Sequence, residues 1–284
     1  MQQQLNAQVN ERNPAIANAL ALLAVAGLVF FWWGLYSALP RQSGAELDLS
    51  IVGYSMIGGI VPPLLWLWFW LKEDALKPEP RGLILLAFLS GMVAVAFSIP
   101  LEQAAQTLFK DSLLVVFLWA FIEEFMKFLG VYLVAFKSKF FDEPIDAMIY
   151  LITAALGFAA LENSLYLMSS IVEGGVFLGA LNAHLRFLGA TLLHVVSSGA
   201  IGIAIAFSFY RPRRRAEYLT MGVAAATALH ALFNLFIIEA QDVLQTLIVF
   251  SYYWLVVIVL ILLFEKVKQI RKPLSTLTGE HHVR

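Results

Sequence analysis

Apolar residues run through this chain in long blocks, not at the alternating spacing of strands or the one-sided spacing of soluble amphipathic helices. A helix needs roughly 20 such residues to cross a hydrocarbon core. Blocks of that order occur at 15–39, 49–71, 82–99, 112–136, 145–168, 187–210, 218–238 and 243–264. The pattern predicts an all-α fold, a polytopic transmembrane bundle of about eight spans, of which 82–99 is the shortest. The block at 15–39 is too long for a signal-peptide core and lacks a basic cluster before it, so it reads as an uncleaved helix. Pro62 and Pro63 predict a kink in the second span, and Trp66, Trp68 and Trp70 near its end suit an interfacial belt. Polar tails at 1–14 and 273–284 flank one transmembrane domain at 15–272. The longest joint on the non-cytoplasmic side, 169–186, contains Gly174 and Gly175 and has room for a lid, a short interfacial helix or a plain connector.

Composition agrees. Hydrophobic residues make up 60% of the chain and charged residues 14%, against about 45–50% and about 25% in soluble domains. The lipid bilayer is therefore one partner. The formal net charge of −1 says nothing about partners, and no basic face suggests nucleic acid. The absence of cysteine excludes disulfides, thiolate metal sites and a cysteine nucleophile. Between spans, Lys and Arg concentrate on one side, most of all in Arg211 and Arg213–Arg215. The other side carries only Arg41, Lys110 and Arg186. Basic residues stay cytoplasmic, which places both termini of this multi-pass protein in the cytoplasm.

Six ionisable groups break the apolar blocks: Glu123, Glu124, Lys127, Glu162, His194 and His230. A charge at bilayer depth costs roughly 2.5–3.5 kcal/mol on insertion scales. Lys127 lies three and four residues after the two carboxylates, on the same helix face, and partly neutralises both. Two acids against one base leave surplus acidity, as a group that takes up and releases protons requires. Glu162 and Asn163 follow Phe158 by one turn, His194 lies in the next span, and His230 and Asn234 sit one turn apart in the one after. Four consecutive spans with polar groups point to one shared cavity. Ala224, Ala225, Ala226, Ala228 and Ala231 permit close helix approach there. From the residues alone the cavity serves either a hydrolase or a proton-coupled carrier, and a catalytically silent scaffold stands behind both.

The same residues carry a resemblance. Glu-Glu-x-x-Lys at Glu123, Glu124 and Lys127, the segment FDEPIDA from Phe141 to Ala147, Phe-x-x-x-Glu-Asn at Phe158, Glu162 and Asn163, His194 after Arg186, and His-x-x-x-Asn at His230 and Asn234 resemble the PrsW family of intramembrane proteases. That family lies in a wider group with the CAAX prenyl endopeptidases and bacteriocin-processing relatives. The resemblance covers about 112–238 and implies a peptidase, of the bacterial cytoplasmic membrane, that cuts membrane-anchored proteins, anti-sigma factors among them. It implies Glu123 as activator of the attacking water and His194 as water-orienting or proton-shuttling group. His230 and Asn234 would stabilise the oxyanion, with Glu124, Glu162, Lys127, Asn163 and Arg186 around them. The CAAX relatives carry Glu-Glu-x-x-x-Arg and Phe-x-x-x-His. Here Lys127 is one residue closer and Glu162 stands in place of the histidine, so that histidine's role does not transfer to Glu162. A helical H-E-x-x-H metal signature is absent, which favours a glutamate-type enzyme without cofactor. Zinc remains the alternative, with Glu123, His194 and His230 as its ligands.

Topology reporters fused after Lys272 and within 169–186 should report opposite compartments. The same compartment for both would overturn the eight-span reading.

Overall fold

The computed structural model of the protein describes residues 49–73 and 77–271. The predicted first span at 15–39 and both polar tails lie outside the described residues. Among those described are seven α-helices: α1 (Leu49–Glu73), α2 (Arg81–Leu108), α3 (Ser112–Val134), α4 (Asp146–Leu188), α5 (Ala190–Ser208), α6 (Arg215–Glu239) and α7 (Val243–Lys268). One 3-10 turn at Pro212–Arg214 precedes α6. The fold is an all-helical transmembrane bundle. Among the described residues six helical stretches are long and apolar enough to cross a membrane; α3 is of similar length but holds Glu123, Glu124 and Lys127 together.

The elements match the apolar blocks, with three corrections. The expected short span at 82–99 is instead a 28-residue helix. It runs on through Pro100 into the polar stretch LEQAAQTL, whose residues have strong helix propensity. The joint expected at 169–186 is helical on both sides of Gly175, and Arg186, expected at its end, lies in the last turn of α4. Trp70 does not face an interface: it is 1% exposed and packs on Phe264, whereas Trp68 is open and carries Lys72 over its ring. α1 runs as one helix past Pro62 and Pro63.

Burial sets the order of the bundle. The first part of α4 is the central post: 89% of its apolar window is buried, against 72% for α5 and 17% for α1. α4 packs along α1, α2 and α5; α6 lies on α5 and α3, and α7 on α5. The outer helices present Leu64, Leu65, Phe97, Leu133, Leu255 and Leu262 outward, a lipid-facing coat far beyond what a soluble monomer exposes. Side-chain caps fix helix starts. Asp111 accepts from Leu114 N at 3.1 Å and Asp242 from Gln245 N at 2.8 Å.

Helices α2 and α4 touch backbone to backbone. A Cβ on Gly91 would lie 1.8 Å from the Ala154 carbonyl oxygen, and one on Gly157 would lie 1.9 Å from that of Phe88. The two glycines face each other's helices and set the spacing. Gly175 is the one described residue with positive φ (79°). It breaks α4 in a conformation that residues with a Cβ rarely adopt, and the chain doubles back there.

Gly91→Ala or Gly157→Ala should force α2 from α4 and lower stability by at least the ~1–3 kcal/mol typical of overpacking. Thermal unfolding in detergent reads this directly. Gly53→Ala, where an added Cβ meets nothing within 4 Å, should be tolerated.

Candidate active site

Lys127 is fully buried, and its ammonium is the hub of the site. Its Nζ donates to Glu124 Oε1 at 2.8 Å, to His194 Nδ1 at 2.8 Å and to Glu123 Oε2 at 3.5 Å. A lysine has three N–H bonds, and here each has an acceptor. The Phe158 ring lies under the ammonium at 4.1 Å. The sequence spacing that joined Lys127 to both carboxylates is thus realised, and a histidine from α5 completes the set.

Glu124 is fully buried and accepts from three groups: Lys127, His230 Nδ1 at 2.8 Å and Ser198 Oγ at 2.6 Å. Glu123 is less enclosed and points at the cavity. Its Oε2 lies 3.7 Å from His230 Nε2 and 3.9 Å from His194 Nδ1. Glu162 Oε2 accepts from Arg186 Nη2 at 2.7 Å and from His194 Nε2 at 2.9 Å. Arg186 also donates through Nε to Asn163 Oδ1 and stacks over Tyr166 at 4.5 Å. Asn163 Nδ2 donates to Thr191 Oγ1 at 3.1 Å.

Arg186 reaches Glu162 from 24 residues away. On an unbroken helix that separation spans about 36 Å, so the contact exists because α4 reverses at Gly175. The joint read as a possible lid is therefore the return arm that delivers Arg186 to the site.

One cavity of about 280 Å³ is walled on its polar side by Glu123, Glu162, Arg186, His194, His230 and Asn234. Phe233 and Phe250, stacked at 6.0 Å, form part of its apolar wall. Glu124, Lys127 and Asn163 lie behind this surface. Every residue predicted to form the site lines this cavity or bonds to a residue that does, whereas the FDEPIDA segment stands apart, with Asp142 paired to Lys77 and Asp146 accepting from the Asp142 and Glu143 backbone. Of the alanines expected to ease packing, Ala226 and Ala231 are buried, while Ala224 and Ala225 are exposed. Sequence reasoning missed Ser198 and Thr191. Ser198 follows His194 by four residues and so shares its helix face, the one signal that pointed to it.

Glu123, His194 and His230 each present a donor atom, all within 4.8 Å of one another. That spacing suits a metal ion, but the hydrogen bonding does not. Both ring nitrogens of His194 are engaged, one by Lys127 and the other by Glu162. The ammonium already supplies the positive charge that Glu123 and His194 face. As arranged, the cluster is built around an ammonium, and a metal ligated by His194 requires that lysine or Glu162 to leave.

Residues 79–264 match the family model described as PrsW family intramembrane metalloprotease. The chain is similar to a protein named Protease PrsW from Geobacillus kaustophilus, 30% identical over 186 residues, which cover 64% of this chain and 79% of that one. Protease PrsW of Bacillus subtilis is 30% identical over 193 residues, with 64% and 81% covered. That of Clostridioides difficile is 28% identical over 213 residues, with 72% and 86% covered. No solved structure matches.

Replacing Lys127 tests its place at the hub. Lys127→Met leaves two buried carboxylates without their cation and should cost about 3–5 kcal/mol, the usual penalty for breaking a buried pair. Lys77→Met removes an exposed partner of Asp142 and Glu143 and should leave the melting temperature close to wild type.

Proposed function

The chain belongs to the PrsW family of intramembrane proteases, and we propose that it hydrolyses peptide bonds of membrane-anchored protein substrates by a glutamate-type mechanism. Anti-sigma factors are the substrate class the family resemblance favours, and the bacterial cytoplasmic membrane the setting. The observation that carries the reading is the Glu123 carboxylate, aimed into a cavity and backed by a buried ammonium. Glu123 takes a proton from an attacking water, which adds to the scissile carbonyl carbon. The developing negative charge on the carbonyl oxygen is met by donors on the cavity wall, Asn234 among them. Glu123 then returns the proton to the leaving amide nitrogen, the C–N bond breaks, and an acid and an amine result. Lys127 donates to Glu123 and fixes its carboxylate, and Glu162 with Arg186 holds His194.

A carrier fits less well. Carriers of this kind place the site between repeats with interrupted helices, whereas among the described residues the one helix break with non-helical backbone is at Gly175, where the return arm begins. The second reading with a specific observation behind it is a zinc enzyme. Glu123, His194 and His230 have the spacing for it, and the family model carries the word metalloprotease. When bound, zinc would polarise a water at the same place.

Purified protein presented with a panel of single-span membrane substrates decides between these. Wild type should cut, and Glu123→Gln, which keeps size and removes basicity, should fold and not cut. Exhaustive chelation should leave the rate unchanged. Activity lost to the chelator and restored by zinc would establish the second reading. Cleavage by well-folded Glu123→Gln would overturn both.

A further inference from the structure

The two histidines are held in opposite ways. His194 Nδ1 faces the Lys127 ammonium at 2.8 Å, which can only donate, so Nδ1 accepts and the ring proton sits on Nε2, donated to Glu162 Oε2 at 2.9 Å. His230 Nδ1 faces Glu124 Oε1 at 2.8 Å. Glu124 also receives donors from Lys127 and Ser198, which leaves it the role of acceptor. His230 therefore carries its proton on Nδ1, and neutral His230 presents a bare Nε2 towards Glu123 Oε2, 3.7 Å away. A water donating one hydrogen to each of these acceptors would have its lone pairs free for attack.

We propose that Ser198 is a positioning residue which, through Glu124, fixes His230 with its proton on Nδ1, so that His230 Nε2 and Glu123 together orient the attacking water. This is a different division of labour from the one the resemblance implied. In neutral form His230 has no Nε2–H to give an oxyanion, and His194, with both nitrogens spoken for, ties Lys127 to Glu162. Ser198 is fully buried and off the cavity wall, so it acts only through the carboxylate it donates to. Its neighbour Ser197 is equally buried and has no hydrogen-bond partner for its hydroxyl among the described residues. The pair is a natural control: the same change, one residue apart, with and without the contact.

The test uses full-length protein in detergent with 15N-labelled histidine, signals assigned by single His→Gln variants. Long-range 1H–15N patterns report which nitrogen is protonated. Wild type should show Nδ1–H at His230 and Nε2–H at His194. Ser198→Ala should turn the His230 signal into a tautomer mixture and lower kcat about 10–100-fold, the scale for losing a partner that orients a catalytic group, with KM unchanged. Ser197→Ala should leave spectrum and rate as in wild type. Glu124→Gln, able to donate as well as accept, should release His230 in the same manner. The same tautomer at both histidines in wild type, or equal effects of Ser197→Ala and Ser198→Ala, would overturn the proposal. Only the kinetic arm rests on the protease reading. A wild type that cuts nothing would sink that reading while the spectra still decide this one.

Discussion

Everything at the centre of this protein depends on one buried ammonium. Lys127 holds Glu123, Glu124 and His194 at once, from a position with no exposure to solvent. Removing water from an ion costs several kcal/mol even after relaxation, and only partners of good geometry offset it. Three acceptors and an aromatic face supply them here. The same contacts that make the charge tolerable fix the orientation of the groups around it. Stability and chemistry are thus set by the same hydrogen bonds, and a substitution at Lys127 disturbs both together.

The bundle arranges its helices to isolate that cluster. α4 and α5 fill the interior while α1, α2 and α7 meet lipid. Close approach at Gly91 and Gly157 draws α2 onto α4, and the break at Gly175 folds the end of α4 back so that Arg186 meets Glu162. Three carboxylates, two histidines, a lysine and an arginine are brought into one network, and of the two carboxylates bonded to Lys127 it is Glu123 that lines the cavity.

Most of this network was legible in the chain because charge is expensive in apolar surroundings. Glu123, Glu124 and Lys127 stood out in a block with no other charged group, and their spacing fixed which of them meet. Ser198 did not stand out. A serine in a membrane helix costs little, since its hydroxyl can bond its own helix, as Ser164 does to Ala160 O and Ser208 to Ile205 O; only the facing helix reveals that Ser198 instead reaches Glu124. The contact of Arg186 was hidden for another reason. It depends on a reversal of direction, and a Gly-Gly pair in sequence marks freedom of the backbone, not the path taken. The length of α2 was underestimated because its last turns are polar, and apolar length was the ruler.

The local pairing within α3 also bears on how the protein is made. Lys127 follows its carboxylates by three and four residues, whereas the histidines that join them come 67 and 106 residues after their partners. At about 5–20 residues per second, translation delivers His230 on the order of 5–20 s after Glu124. Throughout that interval α3 carries its own countercharge, so it can leave the translocation machinery before the helices that complete its surroundings have been synthesised. The spacing of three residues in Glu-Glu-x-x-Lys thus serves membrane insertion first, and joins the buried cluster only when the last helices arrive.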